Sequence, residues 1–200
     1  MNPRIHRGVR SIRQRLDLIA QRINLSVTTP QLTLPQPGFP KGREYMLADF
    51  AGFIVRGTAQ HGGASETAPI EALFRYVKNN IEYRQDPADY DYYRSAGRVI
   101  AAGFGDCDCM TILTNSLLSS IGYTTGARVI SSDGQGWHIY SIVGVEPAFN
   151  GTPTKVIPLD AAFAPDADSV GWEPPMNYRQ IEEQCTFKGG KVVNYFRVRG

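Results

Sequence analysis

The period of the apolar residues changes at Gly122, and this change constrains the fold more than any other feature of the sequence. Before Gly122, apolar residues recur at spacings of three and four, which is the period of a helix that buries one face. After it, apolar and polar residues alternate, as they do along strands. Helices followed by a run of strands predict an α+β fold with an antiparallel sheet.

Four helices are predicted before Gly122. The clearest spans about residues 107–121, and Gly122 is its expected C-terminal cap. Thr67 is a candidate cap for a second helix, which Asn79 and Asn80 weaken near its end. A third helix is predicted over about residues 44–60, and the fourth lies in the N-terminal arm described below. The segment from Tyr83 to Tyr93 has no period and predicts a loop.

The alternating half predicts a small sheet. Strands are expected at residues 124–131, 137–145 and 154–159, followed by a loop rich in Asp, Ala and Pro. A short helix at about 177–184 and a closing strand at about 191–198 complete the prediction.

Residues 1–25 form a basic amphipathic arm, with six arginines against the single acid Asp17. Its apolar residues recur at helical spacing, which predicts one apolar stripe: Ile5, Val9, Ile12, Leu16, Ile19 and Ile23. The favoured partner of this stripe is the chain's own domain or another subunit of a protein assembly. Nucleic acid and anionic lipid are less favoured, because the arm has no interleaved aromatic residues and no repeat.

Residues 26–42 carry Pro30, Pro35, Pro37 and Pro40, which predict an extended linker. A single domain of residues 43–200 is expected to follow. No apolar run of about 18 residues predicts a membrane-spanning helix. The N-terminus has no apolar signal region, so synthesis in the cytoplasm is expected. The three cysteines cannot form a full disulfide framework, which favours reduced thiols.

Cys107 is the candidate nucleophile, because it follows Gly105-Asp106 at the start of the clearest helix. The positive end of the helix dipole favours a thiolate there. Asp106 and Asp108 oppose this effect, so a histidine partner is needed to activate the sulfur.

His138 is the candidate partner, since it opens an apolar alternating strand, whereas His6 lies in the arm and His61 beside a glycine turn. Asp160 ends the next strand and would lie beside His138 if the two strands pair. Taken singly, a strand histidine is more often structural, and an acid at a strand end is more often a turn former.

Three motifs together resemble the transglutaminase-like superfamily, in the form of its compact bacterial and phage members. Residues 105–113, Gly-Asp-Cys-Asp-Cys-Met-Thr-Ile-Leu, resemble its cysteine motif, with Cys109 where a second acid is usual. Trp137-His138-Ile139-Tyr140 resembles its histidine strand, and Pro158-Leu159-Asp160 its aspartate strand. The resemblance covers about residues 66–163. It implies a papain-like core with a catalytic triad: Cys107, His138 and Asp160.

The chemistry that this resemblance implies is acyl transfer from a protein or peptide substrate, without a cofactor. Water as the acceptor makes a peptidase or amidase, and an amine as the acceptor makes a transglutaminase. The backbone N–H of Cys107 is a candidate oxyanion donor, with a side chain from the Tyr83–Tyr93 segment as another.

Two alternatives stay open at the level of sequence. Cys107, Cys109, Cys185 and His138 form a chemically possible zinc set, although one intervening residue is not the usual ligand spacing. The second alternative is a scaffold without catalysis, for example a phage virion component anchored through its arm, because a fold does not fix a function.

Overall fold

The computed structural model describes residues 4–6, 11–30, 44–59, 67–87, 90–131, 137–144, 155–175 and 181–198. His61, its glycine turn and residues 31–42 of the predicted linker lie outside the described residues. Among the residues that are described, no helix is long and apolar enough to cross a bilayer.

The described residues form five helices and nine strands. The helices are α1 (Ile12–Thr28), α2 (Leu47–Ala59), α3 (Ala68–Asn80), α4 (Ala96–Ala102) and α5 (Cys107–Ser120). The first four strands are β1 (Arg4–His6), β2 (Glu82–Tyr83), β3 (Tyr90–Tyr92) and β4 (Phe104–Gly105). The remaining strands are β5 (Thr124–Ser131), β6 (His138–Gly144), β7 (Val156–Leu159), β8 (Ile181–Lys188) and β9 (Lys191–Val198).

The main sheet has five antiparallel strands in the order β7-β6-β5-β8-β9. The predicted α+β class and antiparallel sheet are therefore confirmed. Three strands and the closing strand lie within two residues of their predicted bounds. The change of period at Gly122 coincides with the change from helices to strands, and Gly122 itself adopts a φ of 99°, which glycine tolerates.

The predicted helix at 177–184 is wrong for its described part, because residues 181–184 belong to β8. This strand lies between β5 and β9 and pairs with both. Two ladders of backbone hydrogen bonds outweigh the weak helical preference of the Ile-Glu-Glu-Gln segment. Cys185 consequently lies in a strand and not in a helix.

Helix α1 begins later than the apolar stripe predicts. Ser11 caps it and forms a capping box with Gln14, and Arg4–His6 are a strand paired with β3. A serine followed three residues later by glutamine is a known start signal, and it overrides the continuation of the stripe toward Ile5. The helix also runs to Thr28, three residues into the segment predicted as linker.

The apolar face of α1 packs against its own chain. Leu16, Ile19 and Ile23 are buried in one cluster with residues of α5 and the sheet: Ile112, Ala127, Val129, Ile139, Cys185 and Val192. Full burial of one such side chain stabilises a fold by about 1.5–3 kcal/mol. The three α1 residues together therefore hold the helix firmly on the sheet.

Helix α5 is the most enclosed element of the described structure. All its residues from Asp108 to Leu118 are buried. One side contacts the cluster beneath α1, and the other contacts the core formed with α2 and α3. Its first residue, Cys107, is only partly buried. Cys107, at the start of this central helix, is thus less enclosed than the residues that follow it.

The segment predicted as a loop between Tyr83 and Tyr93 contains short strands. β2 pairs in parallel with β4, which immediately precedes α5. Arg84 donates its backbone N–H to the carbonyl of Gly105 at 2.9 Å. These hydrogen bonds hold the start of the segment beside Cys107.

Candidate active site

Asp106 fixes the start of α5. Its backbone is extended, and its Oδ1 accepts the backbone N–H of Cys109 at 3.0 Å. An aspartate in this position caps the helix, because it satisfies a donor that the helix leaves without a partner. Cys107 is consequently the first helical residue, next to the positive end of the dipole.

The backbone before Cys107 requires glycine at position 105. A Cβ atom added there would lie 2.6 Å from the Cβ of Cys109, closer than any normal contact. Gly103 has a φ of 71°, a left-handed conformation at the end of α4. The two glycines therefore allow α4, β4 and α5 to follow one another closely.

The register of the sheet brings His138 to Asp160. β6 and β7 are antiparallel, with Ser141 opposite Leu159, so the start of β6 lies beside the end of β7. His138 Nε2 lies 2.7 Å from Asp160 Oδ2. The Asp160 side chain is fully buried, and that of His138 is 11% exposed. The sequence-based expectation that these side chains lie together if the strands pair agrees with this geometry.

The other oxygen of Asp160 is also occupied. Oδ1 accepts the backbone N–H groups of Ala162 at 3.1 Å and Phe163 at 3.0 Å. A carboxylate held through both oxygens cannot rotate freely, so it fixes the plane of the imidazole. Phe163, held by this turn, stacks on His138 with ring centroids 4.2 Å apart.

Cys107 and His138 line one cleft of about 600 Å³. The backbone N–H of Ile139, the residue after His138, donates a hydrogen bond to Cys107, and this bond lowers the pKa of the thiol. The cleft has nine further lining residues: Tyr83, Gln85, Ile130, Ser131, Trp137, Phe163, Trp172, Pro174 and Pro175.

The net effect of the surroundings is to raise the pKa of Cys107 well above its ordinary value. Burial is the largest cause, and the charges of Asp108 and Asp106 act in the same direction. The expected opposition of these two acids to a thiolate is therefore present in the structure, although burial raises the pKa more than either charge does. A raised pKa favours the neutral thiol at neutral pH.

Four buried aspartates surround this end of α5: Asp86, Asp91, Asp106 and Asp108. Arg15 of α1 binds Asp91 at 2.6 Å, and Arg94 lies 3.5 Å from Asp86. Burial, followed by the charge of Asp106, raises the pKa of Asp86 to about 6. Burial also raises the pKa of Asp106 and, more strongly, that of Asp108. The side of the cleft formed by the start of α5 is therefore acidic and poorly solvated.

The other two cysteines lie apart from the cleft. The Cys109 thiol is buried and donates to the carbonyl of Tyr92 at 2.8 Å. Cys185 packs beneath α1, and burial raises its pKa to about 12. The described residues contain no group of three or more His, Cys, Asp or Glu side chains that could hold a metal ion. The zinc set of Cys107, Cys109, Cys185 and His138 is thus not assembled.

Sequence reasoning missed Gln85, Phe163 and Trp172 as lining residues of the cleft. Gln85 lies in the Tyr83–Tyr93 segment, from which a side chain is expected as an oxyanion donor, but the sequence does not single it out. Phe163 and Trp172 follow β7 in an irregular segment with no period. The position of Phe163 three residues after Asp160 is the one available signal, because aspartate commonly accepts backbone N–H groups from the turn that follows it.

No family model matches this chain, and no curated protein matches it. Among solved structures, the chain resembles a “putative protease” from Parabacteroides distasonis, with a TM-score of 0.52 and 12% identity. That match covers 90% of this chain and 30% of the other. A “putative cysteine protease” from Cytophaga hutchinsonii matches with a TM-score of 0.42 and 13% identity, over 84% of this chain and 59% of the other.

The first of these matches shows similarity of fold alone, and the second is too weak to carry an argument. This chain spans less than two thirds of the length of either protein. The fold and the site together therefore define an α+β protein that shares its architecture with a protein described as a protease.

Proposed function

We propose that this protein is a cysteine-dependent acyl-transfer enzyme that hydrolyses amide bonds, with Cys107 as nucleophile, His138 as base and Asp160 as the residue that orients the histidine. The observation that carries the proposal is the His138–Asp160 pair at 2.7 Å, whose imidazole lines the same cleft as Cys107. The resemblance of the three motifs to the transglutaminase-like superfamily, with its papain-like core, supports the same assignment.

The raised pKa of Cys107 selects between two modes of activation. A preformed thiolate–imidazolium pair needs a thiol of low pKa, whereas a neutral thiol loses its proton as it attacks. His138 takes the thiol proton while Cys107 Sγ bonds to the substrate carbonyl carbon. Asp160, held through both oxygens, stabilises the resulting imidazolium.

The remaining steps follow from the balance of protons. The imidazolium returns its proton to the leaving amine as the carbon–nitrogen bond breaks, which leaves an acyl group on Cys107. His138 then removes a proton from water, whose oxygen attacks the thioester carbon. As the carbon–sulfur bond breaks, the imidazolium returns this proton to Cys107 Sγ, and the carboxylic acid is released. Gln85 and Phe163 at the cleft are exposed, so water has access and hydrolysis is favoured over transfer to an amine.

The tetrahedral intermediate carries a negative oxygen that needs donors. The backbone N–H of Cys107 is available at the helix start, because the cap of Asp106 uses the N–H of Cys109. Gln85 supplies a side-chain amide in the same cleft. Loss of one such donor typically lowers kcat by about 10²–10³-fold.

The test is the rate at which Cys107 is acylated by an activated peptide ester, followed by mass spectrometry of the modified peptide. We expect His138→Ala to slow acylation by roughly 10²–10⁴-fold, the usual contribution of a positioned base. Cys185→Ala is the matched control, because it removes a buried thiol outside the cleft and leaves the rate unchanged. Equal rates in wild type and His138→Ala contradict the proposal.

The raised pKa of Cys107 also favours a second candidate, a scaffold that keeps the fold without the chemistry. An inactive chain would show no acyl adduct at Cys107 at any pH between 6 and 9, a range that spans roughly the ordinary pKa values of histidine and cysteine. Under this hypothesis the His138–Asp160 pair is a structural contact between β6 and the turn after β7.

A further inference from the structure

We infer that the cleft beside Cys107 selects an acyl donor with a large, apolar and uncharged side chain next to the reacting carbonyl, either aromatic or branched aliphatic. This inference rests on the proposed function, because it assigns the substrate class of the same site.

The chemistry of the cleft lining is the first argument. Seven of the lining residues have aromatic, aliphatic or ring side chains: Tyr83, Ile130, Trp137, Phe163, Trp172, Pro174 and Pro175. Apart from the two reacting groups, the polar members in the described part of the chain are Gln85 and Ser131. Such a lining favours apolar ligands and provides few groups that bind polar ones.

The charged residues next to the cleft lining are either buried away from the cleft or bound elsewhere. Asp106 and Asp108, on either side of Cys107, are buried and do not line the cleft. Glu173, between Trp172 and Pro174, forms an ion pair with Arg128 and accepts a hydrogen bond from Tyr140. Arg84, between Tyr83 and Gln85, binds Glu82 at 2.9 Å. Asp160 lies behind His138 and is bound to it.

A charged substrate side chain would therefore meet no available counter-ion among the described lining residues. Moving a charge out of water without a partner costs several kcal/mol. An apolar side chain gains from the same transfer. The cleft consequently discriminates against charge and in favour of apolar surface.

The lining of the cleft includes both buried and exposed apolar residues, which suits a bulky apolar group. Ile130 and Pro174 are buried, whereas Phe163 is 50% and Tyr83 39% exposed. Tyr83 and Phe163 are in contact, with ring centroids 5.6 Å apart. A lining that combines exposed aromatic rings with buried apolar residues favours a phenyl or isobutyl group over a methyl group, because the larger group buries more apolar surface.

The position of Phe163 links selection to catalysis. Asp160 Oδ1 accepts the backbone N–H of Phe163, while Oδ2 binds His138. One carboxylate thus fixes both the base and an aromatic residue of the pocket. A side chain in contact with Phe163 is therefore held close to the imidazole.

The experiment uses peptidyl acyloxymethyl ketones that share one peptide and differ in the residue next to the reactive carbonyl. Phe, Leu, Ala, Gln, Lys and Glu probes are compared by the second-order rate of modification, with the adduct mapped to Cys107. We expect the Phe and Leu probes to react at least about tenfold faster than the Lys and Glu probes, the usual scale of discrimination by a hydrophobic pocket.

A variant tests whether the cleft itself causes the preference. Tyr83→Glu introduces a carboxylate at an exposed position of the lining and should raise the Lys-to-Phe rate ratio by about tenfold. Phe53→Glu is the matched control, because Phe53 is 42% exposed on α2 and does not line the cleft. It should leave the ratio unchanged.

The outcomes separate this inference from the proposed function. Preference for Phe and Leu, altered only by Tyr83→Glu, supports both. Modification of Cys107 that depends on His138 but is fastest with Lys or Glu, or equal for all probes, overturns the substrate class and leaves the proposed function intact. Modification that does not depend on His138 overturns the proposed function, and the substrate class falls with it.

Discussion

The two halves of the site, His138 with Asp160 on the sheet side and Cys107 at the start of α5, differ in the surroundings of their titratable side chains. On the sheet, Asp160 uses both carboxylate oxygens, one toward His138 and one toward the following turn. At the start of α5, Cys107 is near Asp106 and Asp108, and burial with these charges raises the pKa of its thiol. In the proposed mechanism the base is therefore oriented in advance, whereas the nucleophile is held as a neutral thiol. Under that mechanism the site becomes reactive only when a substrate brings a carbonyl to the sulfur.

The largest effect on the rate of acylation is expected from a substitution at Asp160, on the sheet side of the site. Asp160→Asn keeps the size of the side chain but removes the charge that stabilises the imidazolium. We expect the rate of Cys107 acylation to fall by roughly 10²–10⁴-fold, measured with the activated ester used above. Asp168→Asn is the control, because Asp168 is an exposed acid that binds Arg75. An Asp160→Asn rate within threefold of wild type would mean that the pair is only structural.

The backbone before Cys107 should be the most sensitive part of the other half. Gly105→Ala places a Cβ 2.6 Å from the Cβ of Cys109, and both atoms lie on or beside the backbone. We expect a loss of about 1–3 kcal/mol in the free energy of unfolding, measured by urea denaturation.

Gly52→Ala is the matched control for this substitution. Nothing lies within 4 Å of a Cβ added at Gly52, which is inside α2. Alanine is favoured over glycine in a helix by roughly 0.5–1 kcal/mol, so this variant should be slightly more stable than wild type. A Gly105→Ala protein as stable as Gly52→Ala would show that the start of α5 is not closely packed.

The raised pKa of Cys107 predicts how the rate of its alkylation depends on pH. Because the pKa of Cys107 is raised, iodoacetamide should modify it at pH 7 at least about tenfold more slowly than a free cysteine, whose pKa is about 8.5. The rate should rise with pH beyond that value, since the thiolate is the reactive form. Rapid modification of Cys107 at pH 6 would instead indicate a preformed ion pair with His138.

The sequence predicts the two halves unequally, for a physical reason. His138 begins β6 and Asp160 directly follows β7, so the pairing of these neighbouring antiparallel strands brings them together. Cys107 is recognisable from a local capping signal at Asp106. The strand pairing and the helix cap both join residues that are close along the chain, and for this reason the sequence predicts them.

The features that sequence reasoning missed join segments that are distant along the chain. Asp91 and Asp86, which lie near Asp106 and Asp108, come from β3 and the segment before it, and Arg15 reaches Asp91 from α1. Phe163 and Trp172 reach the cleft from a segment without period. Strand β8 depends on partners on both sides, which no local pattern records. Tertiary contacts decide each of these.

The smallest expected effect is a pH dependence of the free energy of unfolding, which arises from the buried aspartates near the start of α5. The folded-state pKa of Asp86 is about 6 and lies above the ordinary 3.8, so the folded protein binds more protons than the unfolded chain between these values. The contribution of Asp86 to stability therefore falls as pH rises from about 4 to about 6 and is constant above that range. The raised pKa values of Asp106 and Asp108 act in the same direction, so their contributions to stability also fall as pH rises.

Asp86→Asn should remove part of this pH dependence. Its asparagine oxygen can still accept the backbone N–H of Tyr92, while the buried charge that faces Asp91, Asp106 and Arg94 is lost. We expect the fall in Tm between pH 4.5 and 7.5 to be smaller than in wild type, by roughly 2–4 °C for each kcal/mol involved. Calorimetry at both pH values measures this difference, and Asp168→Asn serves again as the exposed control. If Tm falls between pH 4.5 and 7.5 as much in Asp86→Asn as in wild type, Arg94 fully compensates the charge of the buried carboxylate. The acidic half of the site would then resemble the other half, in which His138 and Asp160 are paired.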